Sequence, residues 1–312
     1  MKKSKIIDSG FSDWNPSQLP NLKGKTYLIT GANSGVGFET AKMLATAKAN
    51  IILAGRNNTK LQQAKSNIIN LATGKVDTLT IDLANMASVR SAAESVNSNY
   101  KKIDGLINCA GVMQTPKNTT VDGFELQLAS NHLGHFLLTG LILELIEKAS
   151  GRIVNVSSIM HLGGKIYFDD LMLEHAYTPT KAYNQSKLAN LMFTFELNKK
   201  LKAAGSTASS IASHPGVAAT ELTSNGPTGI LKLLYKITKP LFAQSAYKGA
   251  ISTVLAAAGS EAKTGAYYGP QGMGESKGKV SDAFVASQAL NAEHSARLWS
   301  MSEALVNYSW NI

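Results

Sequence analysis

Three glycines that directly follow a short apolar segment constrain the fold of this chain more than any other feature. Residues 25–30 are apolar and β-branched, as in a buried strand, and the glycines come next as Gly31, Gly35 and Gly37. Apolar residues then recur at helical spacing up to residue 48. A strand that runs through a glycine loop into a helix is the first unit of a parallel sheet covered by helices.

The glycine loop also has a chemical interpretation. Glycines leave backbone N–H groups uncovered at the positive N-terminus of a helix, where a phosphate pair can bind. The spacing here is Gly-x-x-x-Gly-x-Gly rather than the more general Gly-x-Gly-x-x-Gly. The alternative is a turn that only connects a strand to a helix. The position of the loop at the first strand–helix junction favours dinucleotide binding.

Further apolar segments alternate with stretches long enough for helices, and this order predicts an α/β fold. The chain has seven predicted strands, at residues 25–30, 50–54, 77–81, 105–108, 152–156, 208–213 and 265–268. We expect a single domain over residues 1–312, with a doubly wound, Rossmann-type, mostly parallel seven-stranded sheet and helices on both faces. Residues 1–22 are predicted to form an N-terminal extension, and residues 220–246 an insertion over the sheet.

Composition and charge argue against several classes of protein. The 31 Lys and Arg against 21 Asp and Glu give a net charge of +10, but the basic residues are dispersed, which argues against nucleic-acid binding. No apolar stretch approaches the roughly 20 residues of a transmembrane helix. Asp8, Gly10 and Asp13 stand where a signal peptide needs its apolar segment. The single cysteine, Cys109, excludes an internal disulfide. These features predict a cytoplasmic protein.

The end of the second predicted strand indicates which dinucleotide is preferred. About twenty residues after the glycine loop, where an acidic residue would bind a ribose 2′-hydroxyl, the chain has Arg56. A planar cation there suits a 2′-phosphate, so the expected cofactor is NADP(H) rather than NAD(H); a solvated surface arginine is the alternative. Asp82, after the third strand, is predicted either to accept a hydrogen bond from the adenine amine or to cap a helix.

Tyr183 and Lys187 form a candidate acid–base pair. They are four residues apart, so they share one face of a helix. An ammonium group favours the phenolate form of a nearby tyrosine, whose pKa is ordinarily about 10, and brings it closer to the range useful for general acid–base catalysis. Such a pair also arises by chance on amphipathic helices, so its significance depends on other segments.

Three further segments place small or polar residues at the same end of the predicted sheet. Ser157 and Ser158 end a buried strand, and a small-residue turn from Asn108 to Gly111 ends another. Open α/β sheets bind ligands at the carboxyl ends of their strands. A serine hydroxyl there can polarise a substrate carbonyl; the alternative is that the serines begin the next turn. Asn131 lies among small and polar residues that interrupt an otherwise apolar helix.

Together these residues resemble the short-chain dehydrogenase/reductase family. Matching segments occur in the expected order at residues 30–37, 82–83, 108–111, 131, 158, 183, 187 and 214–216. Residues 131–136, 182–190 and 296–303 resemble the branch of retinol dehydrogenases and the WW-domain oxidoreductase. The resemblance implies an oxidoreductase, such as a carbonyl reductase, that acts on a carbonyl or alcohol substrate. Arg56 indicates NADP(H) as its cofactor, and the apolar face of residues 229–239, as a lid, would suit a lipophilic substrate. A non-catalytic NADP-sensing regulator commonly lacks the tyrosine or the lysine, and an epimerase or dehydratase usually has a different glycine spacing.

The resemblance also implies a role for each catalytic residue. Tyr183 exchanges a proton with the substrate oxygen, and Lys187 lowers the tyrosine pKa and holds the nicotinamide ribose. Ser158 stabilises charge on the reacting oxygen, and Asn131 anchors a water relay behind Lys187. The residues implied to bind the cofactor are Gly31, Asn33, Ser34, Gly35, Val36, Gly37, Arg56, Asp82, Leu83, Asn108, Ala110, Gly111, Tyr183, Lys187, Pro215, Gly216, Val217 and Thr220.

The remaining candidates favour structural interpretations. His132 and His135 share a helix face but have no obvious third ligand, so we expect core or cofactor-wall histidines and no metal site. Asp169 and Asp170 fit a surface turn. Residues 229–239 predict an amphipathic helix with clustered lysines, which suits a substrate lid, a surface helix or a peripheral membrane contact. The sequence leaves the substrate open, and also whether the protein forms a homodimer or a homotetramer.

Overall fold

Parallel strands with apolar side chains on both faces form the centre of the protein. The computed structural model describes residues 3–218 and 243–312. The strands are β1 (Lys3–Ser4), β2 (Thr26–Thr30), β3 (Asn50–Gly55), β4 (Val76–Thr80), β5 (Gly105–Asn108), β6 (Arg152–Val156), β7 (Ser209–Ser213), β8 (Tyr267–Gly272), β9 (Lys277–Asp282) and β10 (Val285–Ala286). The main sheet has the order β4-β3-β2-β5-β6-β7-β8-β9. The strand order reverses at β2, and in such sheets ligands bind beside this switch point.

Helices cover both faces of the sheet. They are α1 (Gly35–Thr46), α2 (Asn58–Ile69), α3 (Met86–Asn99), α4 (Leu126–Leu128), α5 (Gly134–Leu141), α6 (Leu143–Glu147), α7 (Pro179–Ala203), α8 (Ala246–Ala258) and α9 (Ala292–Val306). Alternate residues of β2 point to opposite faces: Leu28 joins the core under α3, α5, α7 and α9, whereas Tyr27 and Ile29 join the core under α1, α2 and α8. The predicted doubly wound α/β fold is confirmed.

The prediction of seven strands in the main sheet was short by one. The sheet has an eighth strand, β9, which pairs antiparallel with β8. Its six residues include only one strongly apolar side chain, Val280, and a glycine, so no strand pattern was visible. The N-terminal extension covers this edge strand: the Trp14 N–H donates to the Val280 carbonyl, and Ser9 bonds the Asp282 carboxylate.

Most of the predicted insertion lies outside the described residues, including Thr220 and the whole of residues 229–239. Its two ends are described and lie side by side, because Ala218 and Gln244 form an isolated β-bridge. Helix α8 follows at once and is capped by Ser245. In the ranges that the structure covers, no helix is both long and apolar enough to span a bilayer.

Candidate active site

The glycine loop is held in a conformation that requires its glycines. Gly31 and Gly35 have φ angles of +68° and +59°, which side chains disfavour. A Cβ atom at Gly31 would lie 2.8 Å from the Ala110 Cα atom, and one at Gly37 would lie 2.5 Å from the Gly31 carbonyl oxygen. Gly37 therefore allows α1 to pack closely on the loop, and Gly31 allows the loop to pack on the turn after β5.

The Thr30 hydroxyl connects this loop to two other elements. Its oxygen accepts hydrogen bonds from the backbone N–H groups of Cys109 (2.9 Å) and Ala110 (3.0 Å). His135 Nδ1 lies 3.0 Å from the Asn131 carbonyl, which can only accept, so Nδ1 carries the ring proton. His135 Nε2 therefore accepts the Thr30 hydroxyl proton at 2.8 Å.

His135 is suited to this arrangement because it remains neutral. Burial lowers its pKa to about 4. Sequence reasoning treated His135 only as a wall or core residue, and its link to the glycine loop needs the three-dimensional structure. The signal for Thr30 was its position at the end of a buried strand.

The residues proposed for the adenosine end lie at the carboxyl ends of β3 and β4. Arg56 is exposed after β3. The Asn33 side chain lies next to Gly55, the residue before Arg56, since a Cβ atom on Gly55 would be 3.3 Å from the Asn33 Oδ1 atom. The Asp82 carboxylate accepts from the Ala84 N–H at 3.0 Å, while α3 is capped by Asn85. The helix-cap alternative for Asp82 is therefore wrong.

Tyr183 and Lys187 lie in the first half of α7. This helix begins at Pro179 after Thr178, whose side chain accepts from the Lys181 N–H. Both Tyr183 and Lys187 are 4% exposed, and the Lys187 Nζ atom lies 5.8 Å from the centroid of the Tyr183 ring. Burial lowers the pKa of Lys187 to about 8. The lysine therefore lies beside the tyrosine in a poorly solvated environment.

The end of β6 lies directly against this pair. Lys187 Nζ donates a hydrogen bond to the Val156 carbonyl at 3.0 Å. Ser157 Oγ donates to the Lys187 carbonyl at 2.7 Å, so its only proton is committed to the backbone. Ser158 Oγ instead accepts from the Met160 N–H at 3.2 Å, and this bond leaves its proton available. The two serines, indistinguishable by residue type, differ in what they can donate.

Asn131 lies in a π-helical turn, Ala129–Leu133, between α4 and α5. Its side-chain oxygen accepts from the Val112 N–H at 2.8 Å, and its amide nitrogen donates to the Val112 carbonyl and to Ser186 Oγ, each at 2.9 Å. Ser186 in turn donates to the Tyr183 carbonyl at 2.8 Å. Asn131 thus joins the segment after β5 to the helix that carries the tyrosine, as widened turns at functional sites often do.

The small-residue turn after β5 packs closely against Asn131, next to the lysine. A Cβ atom at Gly111 would lie 2.8 Å from Asn131 Oδ1 and 3.7 Å from Lys187 Nζ. The Asn108 side chain is committed to structural bonds: its amide donates to Thr139 on α5 and to Asn155 on β6. The structure therefore uses the Asn108 side chain to connect strands β5 and β6.

Of the remaining cofactor candidates, Val36 and Leu83 are buried and Ser34 precedes α1. The Pro215-Gly216-Val217 segment follows β7. Gly216 has a φ angle of +63°. Thr220 lies outside the described residues.

The histidines and acidic residues set aside by the sequence have structural partners. His132 Nε2 lies 2.9 Å from Ser302 Oγ on α9. Asp170 accepts hydrogen bonds from two backbone N–H groups in a turn, and Asp169 is exposed and pairs with Arg297. In residues 3–218 and 243–312, no group of three or more His, Cys, Asp or Glu residues is arranged to hold a metal ion.

The sequence of this chain is similar to those of known dehydrogenases. A family model described as short chain dehydrogenase matches residues 25–229. Retinol dehydrogenase 12 from Mus musculus is 40% identical over 293 residues, which cover 93% of this chain and 88% of that protein. Retinol dehydrogenase 11 from the same organism is 39% identical over 306 residues, with coverage of 96% and 91%.

A solved structure is similar over almost the same range. The crystal structure of an uncharacterized protein from Mycobacterium paratuberculosis superposes with a TM-score of 0.81 at 36% sequence identity. The match covers 96% of this chain and 100% of that chain.

Proposed function

The chain belongs to the short-chain dehydrogenase/reductase family of oxidoreductases, and we propose that it uses NADP(H) to interconvert an aldehyde or ketone with an alcohol. The observation that carries this proposal is the position of Lys187. Its buried ammonium group bonds the Val156 carbonyl, directly before the two serines, and lies 5.8 Å from the Tyr183 ring centroid. Such a cation favours the phenolate form of Tyr183.

The glycine loop fits the diphosphate of a dinucleotide. The described helices α2, α3, α7, α8 and α9 all begin with a side chain that accepts from a backbone N–H of the first turn. Ser34 makes no such bond at α1. The first N–H groups of α1 are therefore uncapped by a side chain, and they follow glycines that leave room for a close approach.

Exposed Arg56 supports NADP(H) as the preferred dinucleotide. A guanidinium group can pair with the 2′-phosphate through two parallel hydrogen bonds. Asn33, in the glycine loop, has its Oδ1 atom next to Gly55 at the end of β3 and so can contribute a polar contact to that end of the cofactor. When bound, the dinucleotide supplies or accepts the hydride.

The chain's own residues manage the proton. In the reductive direction, Tyr183 Oη donates a proton to the substrate oxygen, and Lys187 favours the phenolate that remains. The Ser158 hydroxyl, whose proton is available, donates a hydrogen bond to the same oxygen as it gains negative charge. Asn131 keeps α7 in register with the segment after β5, so that these groups stay aligned.

We propose a lipophilic carbonyl compound as substrate. The matches to two retinol dehydrogenases, which cover 88% and 91% of those proteins, support this choice, since retinol is a long apolar alcohol. Such a substrate would form hydrogen bonds only through its reacting oxygen, and the rest of its affinity would come from burial of its apolar surface.

A panel of aldehydes and ketones, followed by the absorbance of NADPH and of NADH, tests this function. We expect turnover of lipophilic members with NADPH. Tyr183→Phe should lower kcat/KM by about 10²–10⁴-fold, because it removes the proton donor. Tyr247→Phe, the same change at an exposed tyrosine of α8, should have no effect. Full activity of Tyr183→Phe would contradict the mechanism, and a strong preference for NADH would contradict the role of Arg56.

A further inference from the structure

The turn between β8 and β9 lies directly on the Pro215–Val217 segment. The Val217 N–H donates to the Ser276 carbonyl at 2.8 Å. A Cβ atom at Gly216 would lie 2.3 Å from the same oxygen. Gln244 bonds the other side of the segment, where its Nε2 atom donates to the Pro215 carbonyl at 2.8 Å. The conformation of this segment therefore depends on a hairpin that is distant in sequence.

Glu275 is an unusual residue in this hairpin. It has a φ angle of +66°, and its side chain is buried. One carboxylate oxygen accepts from the Phe284 N–H at 2.8 Å, and the other lies 3.4 Å from His214 Nε2. A buried carboxylate costs free energy unless donors or cations surround it. The Phe284 N–H supplies one hydrogen bond, and His214 Nε2, which has no hydrogen-bond partner of its own among the described residues, lies within ion-pair distance of the other oxygen.

His214 transmits this contact to Gly216. The His214 ring is fully buried, and its Nδ1 atom accepts from the Gly216 N–H at 3.2 Å. Nδ1 therefore carries the lone pair, and the ring proton is on Nε2, where it faces Glu275. The His214 backbone is also fixed, because its N–H donates to the Tyr268 carbonyl and its carbonyl accepts from Ser252 Oγ at 2.7 Å.

We propose that Glu275 is a positioning residue for cofactor binding. It fixes the tautomer and orientation of His214, and His214 holds the Gly216 amide and with it the Pro215–Val217 segment. That segment follows β7, on the opposite side of β2 from the adenosine end at β3 and β4, so its cofactor contacts would be at the nicotinamide end. The same logic lets a carboxylate orient a histidine that ligates a metal. This role rests on the proposed NADP(H) function, but it concerns only the nicotinamide end of the site.

Glu275→Gln tests the proposal with an isosteric change. Two N–H groups face the carboxylate, one at each oxygen. In glutamine an NH2 group replaces one of these oxygens, so an acceptor remains for only one of the two N–H groups. We expect the dissociation constant of NADPH to rise about tenfold, because the neutral amide no longer attracts the Nε2–H group of His214 as the carboxylate does. The affinity for adenosine 2′,5′-bisphosphate, which lacks nicotinamide, should not change. Glu94→Gln, the same change at an exposed position of α3, is the control and should affect neither ligand.

The binding data separate the two proposals. Equal NADPH affinity in wild type and Glu275→Gln, or an equal loss for both ligands, would overturn the positioning role alone. Wild-type protein that binds neither NADPH nor the bisphosphate would overturn the proposed function, and the positioning role with it.

The tautomer of His214 gives a readout that needs neither ligand nor activity. Long-range ¹H–¹⁵N spectra of the wild-type histidine rings, assigned with a His214→Asn variant, should show the His214 proton on Nε2. A proton on Nδ1 would overturn the proposal even if Glu275→Gln does not fold. In a double-mutant cycle, His214→Asn should abolish most of the additional effect of Glu275→Gln on NADPH binding; full additivity would count against the coupling.

Discussion

At the scale of single residues, the chemistry of the site depends on which protons are already committed. Ser157 and Ser158 are adjacent and identical in type, and the preference for Ser158 in the sequence came from family resemblance. The structure supplies a physical reason, since Ser157 donates to the Lys187 carbonyl whereas Ser158 accepts from the Met160 N–H. Hydrogen-bond direction is a property of the folded chain, so no local pattern could have predicted it.

This difference predicts different kinetic phenotypes for two alanine variants. Ser158→Ala should lower kcat by about 10²–10³-fold, as loss of one donor to a developing oxyanion does, and the lost bond to the Met160 N–H should cost about 0.5–2 kcal/mol in stability. Ser157→Ala should instead leave kcat largely unchanged and lower the free energy of unfolding by about 0.5–1.5 kcal/mol, because one buried hydrogen bond to the Lys187 carbonyl is lost. Steady-state kinetics and denaturant unfolding of both variants check this. The reverse pattern would assign the catalytic hydroxyl to Ser157.

At the scale of elements, the helices and strands that could be predicted have a regular spacing of apolar residues, and the strand that was missed has none. Strand β2, the loop and helix α1 were readable because apolar spacing changes from strand to helical across three glycines. Strand β9 and its turn were missed, since their residues are polar and are positioned by pairing with β8 and with the N-terminal extension. The contact between Glu275 and His214 was hidden for the same reason.

Gly37→Ala tests the close contact between α1 and the glycine loop. The new methyl group would lie 2.5 Å from the Gly31 carbonyl oxygen, so loop or helix must shift. We expect a loss of about 1–3 kcal/mol in the free energy of unfolding, together with weaker NADPH binding by isothermal titration calorimetry. Gly249→Ala in α8, where the nearest atoms are 3.1–3.2 Å away, is the comparison and should cost less. Unchanged NADPH affinity in Gly37→Ala would contradict the assignment of the loop.

At the scale of the whole molecule, the sheet topology gathers residues that are far apart in sequence. The ends of β2, β5, β6 and β7 and the first half of α7 meet at one edge, as expected for the predicted parallel, doubly wound sheet. The polar network behind that edge was not predictable. His161 Nδ1 donates to the Ser158 carbonyl, and its Nε2 accepts from the Ala286 N–H, so the ring holds β10 against the site as a neutral group.

Three buried histidines make the whole fold sensitive to acid. Burial lowers the pKa of His132 to about 3 and those of His135 and His161 to about 4 each, against about 6.5 in the unfolded chain. Between these values the unfolded state binds more protons, so stability falls as pH decreases from about 6.5 to 4. Where the unfolded state binds three more protons than the folded state, the free energy of unfolding changes by about 4 kcal/mol per pH unit.

Denaturant unfolding at several pH values measures this slope. His161→Gln removes one of the three protons and should reduce the slope by about a third, whereas His175→Gln, at an exposed position, should leave it unchanged. If His161→Gln leaves the slope unchanged, His161 takes up its proton in the folded protein as readily as in the unfolded chain, which would contradict its lowered pKa.

Transfer of deuterium from the cofactor to the product tests most directly whether this site transfers a hydride. NADPH deuterated at C4 of the nicotinamide would be incubated with the best carbonyl substrate from the panel, and the alcohol analysed by mass spectrometry and NMR. We expect one deuterium on the carbinol carbon per NADPH oxidised. Tyr183→Phe should lower the yield of labelled alcohol by about 10²–10⁴-fold. Alcohol formed without deuterium, with cofactor labelled on both C4 faces, would contradict hydride transfer at this site.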